Sequence, residues 1–231
     1  MRTVLLTGSS GQVGRAVAPV LEDAGWSVRP FDLAQGLDLR EYPAVLRGAQ
    51  GCDPVVHAGA LAHDSAGSPA DIVATNLLGT WHVLLAAETV GASRVVSFSS
   101  AQVFGFAEGE GEPLSLPVED DHPVRAGRPY GMSKRLAEEM CGAWTQRTAI
   151  PTIVLRPVLI LDDVGLGSVS AEDAELGAYV HLVDVATATL LSLTAAVVGH
   201  HRLTLCGPGP FSTRAAAGLL GWKATRGWPD P

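Results

Sequence analysis

Short apolar runs alternate with longer amphipathic stretches along the chain, and this alternation predicts strands and helices in turn. Apolar runs typical of buried parallel strands occur at residues 4–6, 26–31, 54–57, 94–98 and 152–155. Helices are predicted from about Gln12 to Gly25, from Ile72 to Val90 and from Tyr130 to about Arg147. Because strands that alternate with helices form a parallel sheet, we expect an α/β fold with a doubly wound parallel sheet.

One connection in this pattern is unusually short. Only residues 33–37 separate Asp32, at the end of the second predicted strand, from Asp38. A crossover between parallel strands normally needs about a dozen residues or more. We therefore expect that the usual second helix is missing or that the third strand is vestigial.

Composition and charge narrow the class of protein. The chain of 231 residues is 47% hydrophobic and 17% charged, which suits a globular domain with a sizeable core and excludes disorder. A formal net charge of −8 without a Lys/Arg-rich run argues against a nucleic-acid partner. Three widely spaced cysteines favour a reducing compartment and form neither a disulfide framework nor a zinc pattern. With no signal-peptide pattern and no apolar stretch of membrane length, we expect a cytoplasmic protein without a metal ion or a membrane partner.

A glycine-rich turn follows the first predicted strand and opens the first predicted helix. Its sequence, from Thr7 to Gly14, is Thr-Gly-Ser-Ser-Gly-Gln-Val-Gly. Glycines let the backbone turn tightly and approach a pyrophosphate, and the helix N-terminus offers free N–H groups and a partial positive charge. The pattern predicts a dinucleotide site that is built by Gly8, Gly11, Gln12, Val13 and Gly14.

Asp32 indicates which dinucleotide is bound. It lies at the end of the second predicted strand, where a carboxylate accepts hydrogen bonds from the adenosine ribose hydroxyls and repels a 2′-phosphate. This position favours NAD over NADP. Arg15 and Arg29 are near enough in sequence to leave NADP as the less favoured alternative.

A Tyr–Lys pair supplies candidate chemistry. Tyr130 and Lys134 are four residues apart and share one face of a predicted helix. A neighbouring ammonium and a positively charged nicotinamide would both lower the pKa of the phenol, so that Tyr130 can exchange a proton with a substrate alcohol. Ser100, at the end of its strand, is placed to hydrogen-bond the substrate oxygen. In isolation the pair would more often be a surface helix pair; its position after the strands and the serine favours catalysis.

Taken together, these motifs resemble those of the extended short-chain dehydrogenase/reductase superfamily, in its NAD-dependent epimerase/dehydratase branch. The chain carries that branch's glycine turn, its Asn-x-x-Gly-Thr helix at Asn76, its catalytic serine strand at residues 99–105 and its Tyr-Gly-x-Ser-Lys at Tyr130. The resemblance covers residues 1 to about 160 motif by motif and extends more thinly to about 222.

The resemblance implies a Rossmann-type fold with further cofactor contacts. It also implies a homodimer that pairs the helix containing Trp81 and the helix containing Tyr130 with their symmetry mates. The cofactor contacts implied outside the glycine turn and Asp32 are Asp38, Leu39, Ala58, Gly59, Ala60, Asn76, Tyr130, Lys134, Pro157 and Val158.

Two departures from the family pattern narrow the reaction. Family dehydratases place Asp-Glu directly after the catalytic hydroxyl residue, whereas Ala101 and Gln102 stand here and cannot transfer a proton. Only residues 158–178 separate Pro157 from Tyr179, where relatives that bind nucleotide sugars carry a much longer lobe. We therefore disfavour dehydration and expect a small substrate, such as a free sugar, a sugar acid or another hydroxy or keto compound. The uronate dehydrogenases, a compact branch, are a reasonable guide, although they carry different residues after their catalytic serine.

We expect a single domain over residues 1–231, with an NAD-binding core mainly in 1–157. Residues 158–231 would mainly form a reduced C-terminal substrate lobe with returning core elements. The leading interpretation is an NAD-dependent oxidoreductase acting on a small molecule. A sugar or nucleotide-sugar epimerase with the same residues and a non-catalytic dinucleotide sensor remain alternatives. His63 and Asp64 either face the substrate or are solvated, and the acids of the loop at 106–129, such as Glu108 and Asp120, are expected to be solvated.

Overall fold

A parallel sheet forms the centre of the computed structural model, which describes residues 2–109, 111–168 and 175–226. The described strands are β1 (Thr3–Thr7), β2 (Ser27–Phe31), β3 (Val55–His57), β4 (Val95–Phe98), β5 (Thr152–Pro157), β6 (Leu159–Leu161), β7 (Tyr179–His181) and β8 (His200–Leu205). Within the described residues the main sheet has the order β2-β1-β3-β4-β5-β8, with every neighbouring pair parallel. Strands β6 and β7 form a separate parallel pair.

Helices cover both faces of the sheet. They are α1 (Gln12–Asp23), α2 (Tyr42–Ala49), α3 (Pro69–Val73), α4 (Gly79–Val90), α5 (Pro129–Thr148), α6 (Leu182–Thr194) and α7 (Arg214–Leu220). The core on one face includes residues of α1, α6 and α7, and the core on the other includes residues of α2, α4 and α5. Every residue of β3, β4 and β5 is buried, as a strand covered on both faces requires. The doubly wound α/β fold of the Rossmann type is therefore confirmed.

The short connection after β2 is also explained. Between Asp32 and Asp38, all of which the structure describes, the chain makes a single 3₁₀ turn at Leu33–Gln35 and forms no strand. The Asp32 side chain accepts a hydrogen bond from the Ala34 N–H at 2.9 Å, and Gly36, at φ 75°, ends the turn. Helix α2 alone then carries the chain to β3. The described chain thus has one helix and no strand between β2 and β3, so the strand and not the helix is lost, and β2 is left at the edge of the described sheet.

The helix predicted from Ile72 begins three residues earlier. Ser68 accepts a hydrogen bond from the Asp71 N–H while the Asp71 carboxylate accepts one from the Ser68 N–H, and Pro69 occupies the first turn. A π-helical turn at Ala74–Leu78 joins α3 to α4. By length and composition, Pro69–Val90 is the one described helix that could cross a membrane. It contacts α2 and α5, as the core helix of a globular domain does.

The predicted division of the chain at residue 157 stays a prediction. After that point β6 and β7 form the small parallel pair, while β8 returns to the main sheet beside β5. Residues 169–174 and 227–231 of the predicted substrate lobe lie outside the described residues.

A buried ion pair joins α5 to β5. The Arg156 guanidinium on β5 donates to both carboxylate oxygens of Glu138 on α5, at 2.8 and 2.5 Å, and the two side chains are 0% and 1% exposed. Arg156 also donates to the Asp120 carbonyl at 2.7 Å and lies 5.2 Å from the centre of the Phe104 ring. The pair fixes the rotation of α5 against the sheet, because turning the helix would leave a carboxylate unpaired in the core.

Arg156→Met should therefore lower the free energy of unfolding by about 3–5 kcal/mol, since it leaves the Glu138 carboxylate buried without a cation. Urea denaturation followed by circular dichroism measures this change. The double variant Arg156→Met/Glu138→Leu should recover most of the loss. The matched control, Arg147→Met on α5, breaks the solvent-accessible pair with Glu88 of α4 and should cost less than about 1 kcal/mol. Equal losses of unfolding free energy in Arg156→Met and Arg147→Met would contradict this role of the buried pair.

Candidate active site

The glycine turn packs too closely for side chains at two positions. Gly8 has a φ of 70°, and a Cβ there would lie 2.5 Å from the Gly59 nitrogen. A Cβ on Gly14 would lie 2.2 Å from the Gly8 carbonyl oxygen. Helix α1 begins directly after Gly11 without a side-chain cap, so its first N–H groups remain available to an anionic ligand. The turn therefore fits a phosphate group against its backbone.

A cleft of about 550 Å³ runs from this turn across the carboxyl ends of the strands. Its volume lies within the range of small-molecule sites. The predicted site residues that it brings together are Gly8, Gly11, Gln12, Val13, Gly14, Ala58, Ala60, Ser100, Tyr130, Lys134, Pro157 and Val158. The cleft also meets Ala101, Gln102 and His63. Five predicted cofactor residues lie outside its described lining, namely Asp32, Asp38, Leu39, Gly59 and Asn76.

The three candidate catalytic side chains lie next to one another. Tyr130 and Lys134 are each 7% exposed, and the Lys134 Nζ lies 5.9 Å from the centre of the Tyr130 ring. Ser100 lines the same cleft as these two side chains. Ser100 also accepts a hydrogen bond from the Gln102 N–H at 3.2 Å, which holds its side chain at the start of a 3₁₀ turn. Tyr130 and Lys134, which the sequence predicts to share a helix face, thus lie with Ser100 in one cleft.

The acid–base properties of this cluster differ from the expectation. Burial raises the pKa of Tyr130, the charge of Asp64 adds to that rise, and the hydrogen bond with Ser100 opposes it. Lys134 donates to the Phe98 carbonyl at 2.8 Å, and burial lowers its pKa to about 8, against the opposing charge of Glu138. In the protein alone the net pKa shift of Tyr130 is therefore upward, because burial dominates. The lowering expected from Lys134 together with a bound nicotinamide stays a prediction.

Two carboxylates hold the N-terminus of α5. The Tyr130 N–H donates to the Asp64 carboxylate at 2.8 Å. The N–H groups of Gly127 and Arg128 both donate to one oxygen of Glu108, each at 2.8 Å. Asp64 is exposed and holds the first turn of α5 at Tyr130, and its role toward a substrate stays a prediction. Glu108 is not simply solvated as expected.

His63 is exposed and lines the cleft, and its ring nitrogen Nδ1 lies 2.9 Å from the Ser65 hydroxyl. Its role toward a substrate stays a prediction. Asp120, also expected to be solvated, is turned inward. Its carboxylate accepts hydrogen bonds from the Thr204 N–H and hydroxyl at 2.7 and 2.6 Å, and burial raises its pKa. No sequence signal marked Glu108 or Asp120, because their partners are distant in the chain.

The predicted adenosine-side residues form contacts within the chain. Asp32 accepts a hydrogen bond from the Ser10 N–H of the glycine turn at 3.0 Å. Asp38 pairs with the Arg40 guanidinium at 2.7 Å, and that hydrogen bond lowers the pKa of the carboxylate. Leu39 is buried so close to Gly59 that a Cβ on the glycine would lie 2.7 Å from its Cδ1. Their roles toward a cofactor stay predictions.

Asn76 is engaged by the protein itself. Its side-chain oxygen accepts from the Leu61 N–H at 2.9 Å, and its side-chain nitrogen donates to the Leu61 carbonyl and to the Ser133 hydroxyl at 3.0 and 2.9 Å. It thus ties the loop after β3 to α5. The family contact implied for Asn76 stays a prediction, while its structural role is to join two walls of the site.

A buried histidine, His57, is hydrogen-bonded to Thr7, the first residue of the glycine turn. The Thr80 hydroxyl donates to the Asn76 carbonyl, so it accepts from His57 Nε2–H at 2.9 Å. His57 Nδ1 then accepts from the Thr7 hydroxyl at 2.7 Å, and that hydroxyl accepts from the Gly59 N–H at 3.2 Å. Every donor in this chain of hydrogen bonds has an acceptor only if the imidazole is neutral. Burial, with a smaller contribution from the Lys134 charge, lowers the pKa of His57 to about 3.

A doubly wound sheet with its cleft at the carboxyl ends of the strands defines the class of Rossmann-type dinucleotide-binding proteins. Comparison with known protein families supports this class. Residues 4–161 match the family described as "NAD dependent epimerase/dehydratase family", and the chain belongs to that family. The family assignment made from the motifs is confirmed.

Several relatives carry known activities. The chain is 30% identical over 165 residues to a uronate dehydrogenase of Pseudomonas syringae pv. tomato, covering 66% of this chain and 58% of that protein. It is 32% identical over 176 residues to a 4-hydroxy-2-methyl-3-oxo-4-farnesyl-3,4-dihydroquinoline-1-oxide ketoreductase of Stigmatella aurantiaca, covering 69% and 50%. A UDP-glucose 4-epimerase of Oryza sativa subsp. japonica is 27% identical over 170 residues, covering 61% and 46%. The matches span about half the length of these relatives.

The fold of a solved structure matches nearly the whole chain. A short-chain dehydrogenase/reductase superfamily protein from Agrobacterium tumefaciens with bound NAD superimposes with a TM-score of 0.84 at 24% identity, covering 98% of this chain and 94% of that one. The likeness supports the fold described above.

The neutral state required of His57 makes stability depend on pH. The unfolded histidine titrates near 6.5, whereas the folded one stays neutral down to about 3. The contribution of neutral His57 to the free energy of unfolding is therefore fully present above pH 6.5. It is lost as the pH falls from 6.5 toward 3, at up to about 1.4 kcal/mol per pH unit. Urea denaturation between pH 7 and pH 4 should show a shallower decline for His57→Gln than for the natural protein. His201→Gln, on β8, is the control and should keep the natural slope. Equal slopes for the natural protein and His57→Gln would contradict this account.

Proposed function

We propose that the protein is an NAD-dependent oxidoreductase that transfers hydride between the nicotinamide and a secondary alcohol or carbonyl of a small sugar-like or hydroxy/keto substrate. The observation that carries the proposal is the single cleft shared by the glycine turn and the Ser100, Tyr130 and Lys134 side chains. Family membership supports the cofactor and the class of reaction.

The residues present fit a dinucleotide. The backbone of Gly8 to Gly14 would hold the pyrophosphate at the start of α1, and Pro157 and Val158 would meet the nicotinamide end of the cleft. The Asp32 carboxylate supports NAD rather than NADP. Arg29, which left NADP open, donates to the backbone carbonyls of Gly48 and Gln50 and is thereby directed toward the end of α2.

The proposed chemistry assigns one task to each side chain. Bound NAD supplies the acceptor or donor of a hydride at the substrate carbon. Tyr130 takes the proton from the substrate hydroxyl during oxidation, or returns it to the carbonyl oxygen during reduction, at its phenolic oxygen. Ser100 hydrogen-bonds the same substrate oxygen and orients it. Lys134, with a pKa of about 8, is mainly cationic at neutral pH and favours the phenolate form of Tyr130.

An epimerase is the second candidate. It would use the same three side chains, and the relatives include UDP-glucose 4-epimerases of comparable identity. The names of the relatives span sugar acids, nucleotide sugars and a farnesylated quinoline oxide, so they support the reaction class without selecting a substrate.

Homodimerisation and a cytoplasmic location stay predictions. Partly exposed apolar side chains on the helices expected to pair, Leu78 at 44% and Leu136 at 41%, support the dimer. The small-molecule substrate is part of the proposal.

Tyr130→Phe should lower turnover by about 10²–10⁴-fold while NAD binding persists, because the variant removes only the proton-transferring oxygen. The assay follows reduced-nicotinamide absorbance with free sugars, sugar acids, simple ketones and nucleotide sugars. Net formation or consumption of reduced cofactor identifies an oxidoreductase, whereas isomerisation of a sugar without net change identifies an epimerase. Tyr42→Phe is the control and should not alter turnover, because Tyr42 is a partly buried residue of α2 whose hydroxyl is hydrogen-bonded to Thr89, outside the described cleft lining. If Tyr130→Phe were as active as the natural protein, the catalytic proposal would be rejected.

Asp32→Asn should reduce the preference for NAD over NADP by about tenfold or more, because it removes the charge that repels a 2′-phosphate. Calorimetric titration of each cofactor into the natural protein and the variant measures the preference. Asp23→Asn, near the end of α1, is the matched control and should leave it unchanged. An unaltered preference in Asp32→Asn would show that another residue selects the cofactor.

A further inference from the structure

The cleft that contains Tyr130 has aliphatic side chains in its lining, which together are called its apolar wall. Ala62 follows β3, Ala101 and Ala107 follow β4, and Leu159 and Ile160 belong to β6. All five side chains are aliphatic. A ligand lying against this wall gains free energy by placing apolar surface there, since aliphatic groups offer no hydrogen bond to replace the water that a polar group would lose.

Outside the glycine turn, and besides Ser100, Tyr130 and Lys134, the polar side chains of the described lining are Ser99, Gln102 and His63, and His63 Nδ1 lies 2.9 Å from the Ser65 hydroxyl. Gln102 presents an amide, and Ser99 presents a hydroxyl whose oxygen is buried without a hydrogen-bond partner in the described part of the chain. Such groups suit carbonyl, hydroxyl or ester oxygens. They fix the orientation of an uncharged ligand without compensating a negative charge.

Three cations near the cleft have partners within the protein. The Lys134 ammonium donates to the Phe98 carbonyl. Arg156 is paired with Glu138 and Arg226 with Asp163, so these guanidinium groups have carboxylate partners of their own. The lining that the structure describes contains no arginine, the residue type that binds carboxylates and phosphates in bidentate geometry. By sequence, positions 1, 110, 169–174 and 227–231, outside the description, hold neither Lys nor Arg.

The N–H groups at the N-terminus of α5, beside Tyr130, are also unavailable to an anionic ligand. A helix N-terminus normally attracts negative charge through its free N–H groups. Here the N–H of Tyr130 already donates to Asp64, and those of Gly127 and Arg128 donate to Glu108. Both carboxylates add negative potential at this end of the cleft, where a second anion would be repelled.

From these observations, and resting on the proposed oxidoreductase function, we infer that the substrate is an uncharged ketone or secondary alcohol with an apolar flank. A sugar acid or a nucleotide sugar does not match this lining. In the reduction, the carbonyl carbon gains hydride from the reduced cofactor and the carbonyl oxygen gains a proton from Tyr130, so that the ketone becomes the alcohol and the cofactor is oxidised.

Two pairs of probes that differ mainly in charge test this inference with the intact chain. The first pair is methyl 4-acetylbenzoate and 4-acetylbenzoate, assayed as ketones with NADH. The second is glucuronamide and glucuronate, assayed as sugars with NAD. The neutral member of the first pair should have a kcat/KM at least about tenfold higher, since each factor of ten requires only about 1.4 kcal/mol of discrimination. The kcat/KM of neither sugar should exceed that of methyl 4-acetylbenzoate.

A variant can reverse the preference. Leu159 lies in the cleft wall and is 37% exposed, so Leu159→Arg adds a guanidinium with access to solvent. It should raise the relative kcat/KM for 4-acetylbenzoate by at least about tenfold over the natural protein. Val183→Arg, at a 49% exposed position on α6 outside the described cleft lining, is the matched control and should leave the ratio unchanged. Melting temperatures verify that both variants fold.

The outcomes separate this inference from the proposed function. Preferred turnover of a carboxylate probe would overturn the substrate class while leaving the oxidoreductase intact. If none of the probes reacts, calorimetric binding to the NADH-loaded protein decides. Tighter binding of the methyl ester than of the carboxylate supports the inference even if the catalytic proposal fails. Equal or tighter binding of the carboxylate, or no binding of the ester, overturns it.

Discussion

One row of buried charges fixes the helix on which the site depends. Lys134 and Glu138 lie one turn apart on the buried face of α5, and each has a partner in the sheet region. The ammonium donates to the Phe98 carbonyl at the end of β4, and the carboxylate receives the Arg156 guanidinium from β5. Because an unpaired buried charge costs several kcal/mol, α5 cannot rotate or slide without a large penalty. The position of Tyr130 therefore follows from charge pairing deeper in the fold.

The other contacts of α5 tie it to both neighbouring loops. Asp64, in the loop after β3, binds its first turn, and Glu108, in the loop after β4, binds the residues that lead into it. Gly131 belongs to the same arrangement, since a Cβ there would lie 2.5 Å from a Glu108 oxygen. Asn76 joins the helix from the side through Ser133. The loops that line the cleft and the helix that carries Tyr130 thus form one connected unit.

Sequence predicts the features that arise from local chain geometry. The glycine turn, the Tyr130–Lys134 spacing and the missing elements between Asp32 and Asp38 all depend on a few consecutive residues, and each was predictable. The roles of Glu108 and Asp120 were not, because their partners lie 19 and 84 residues away and become neighbours only in the folded chain. Asp38 looked available to a cofactor, yet its nearest cation, Arg40, is only two residues away. The rise in the pKa of Tyr130 in the protein alone was not predicted, because burial is a property of the whole fold.

The pKa shifts of Tyr130 and Lys134 make proton transfer by Tyr130 dependent on the ligand that occupies the cleft. Burial raises the pKa of Tyr130 and lowers that of Lys134, so desolvation pushes both groups toward their neutral forms. The protein alone therefore keeps Tyr130 as a phenol. A positively charged ring bound beside it would favour the phenolate by direct attraction, and more strongly in a desolvated site than in water. An uncharged substrate would leave that attraction intact, whereas a carboxylate nearby would oppose formation of the phenolate. The aliphatic side chains of the wall add no further charge that would oppose formation of the phenolate of Tyr130.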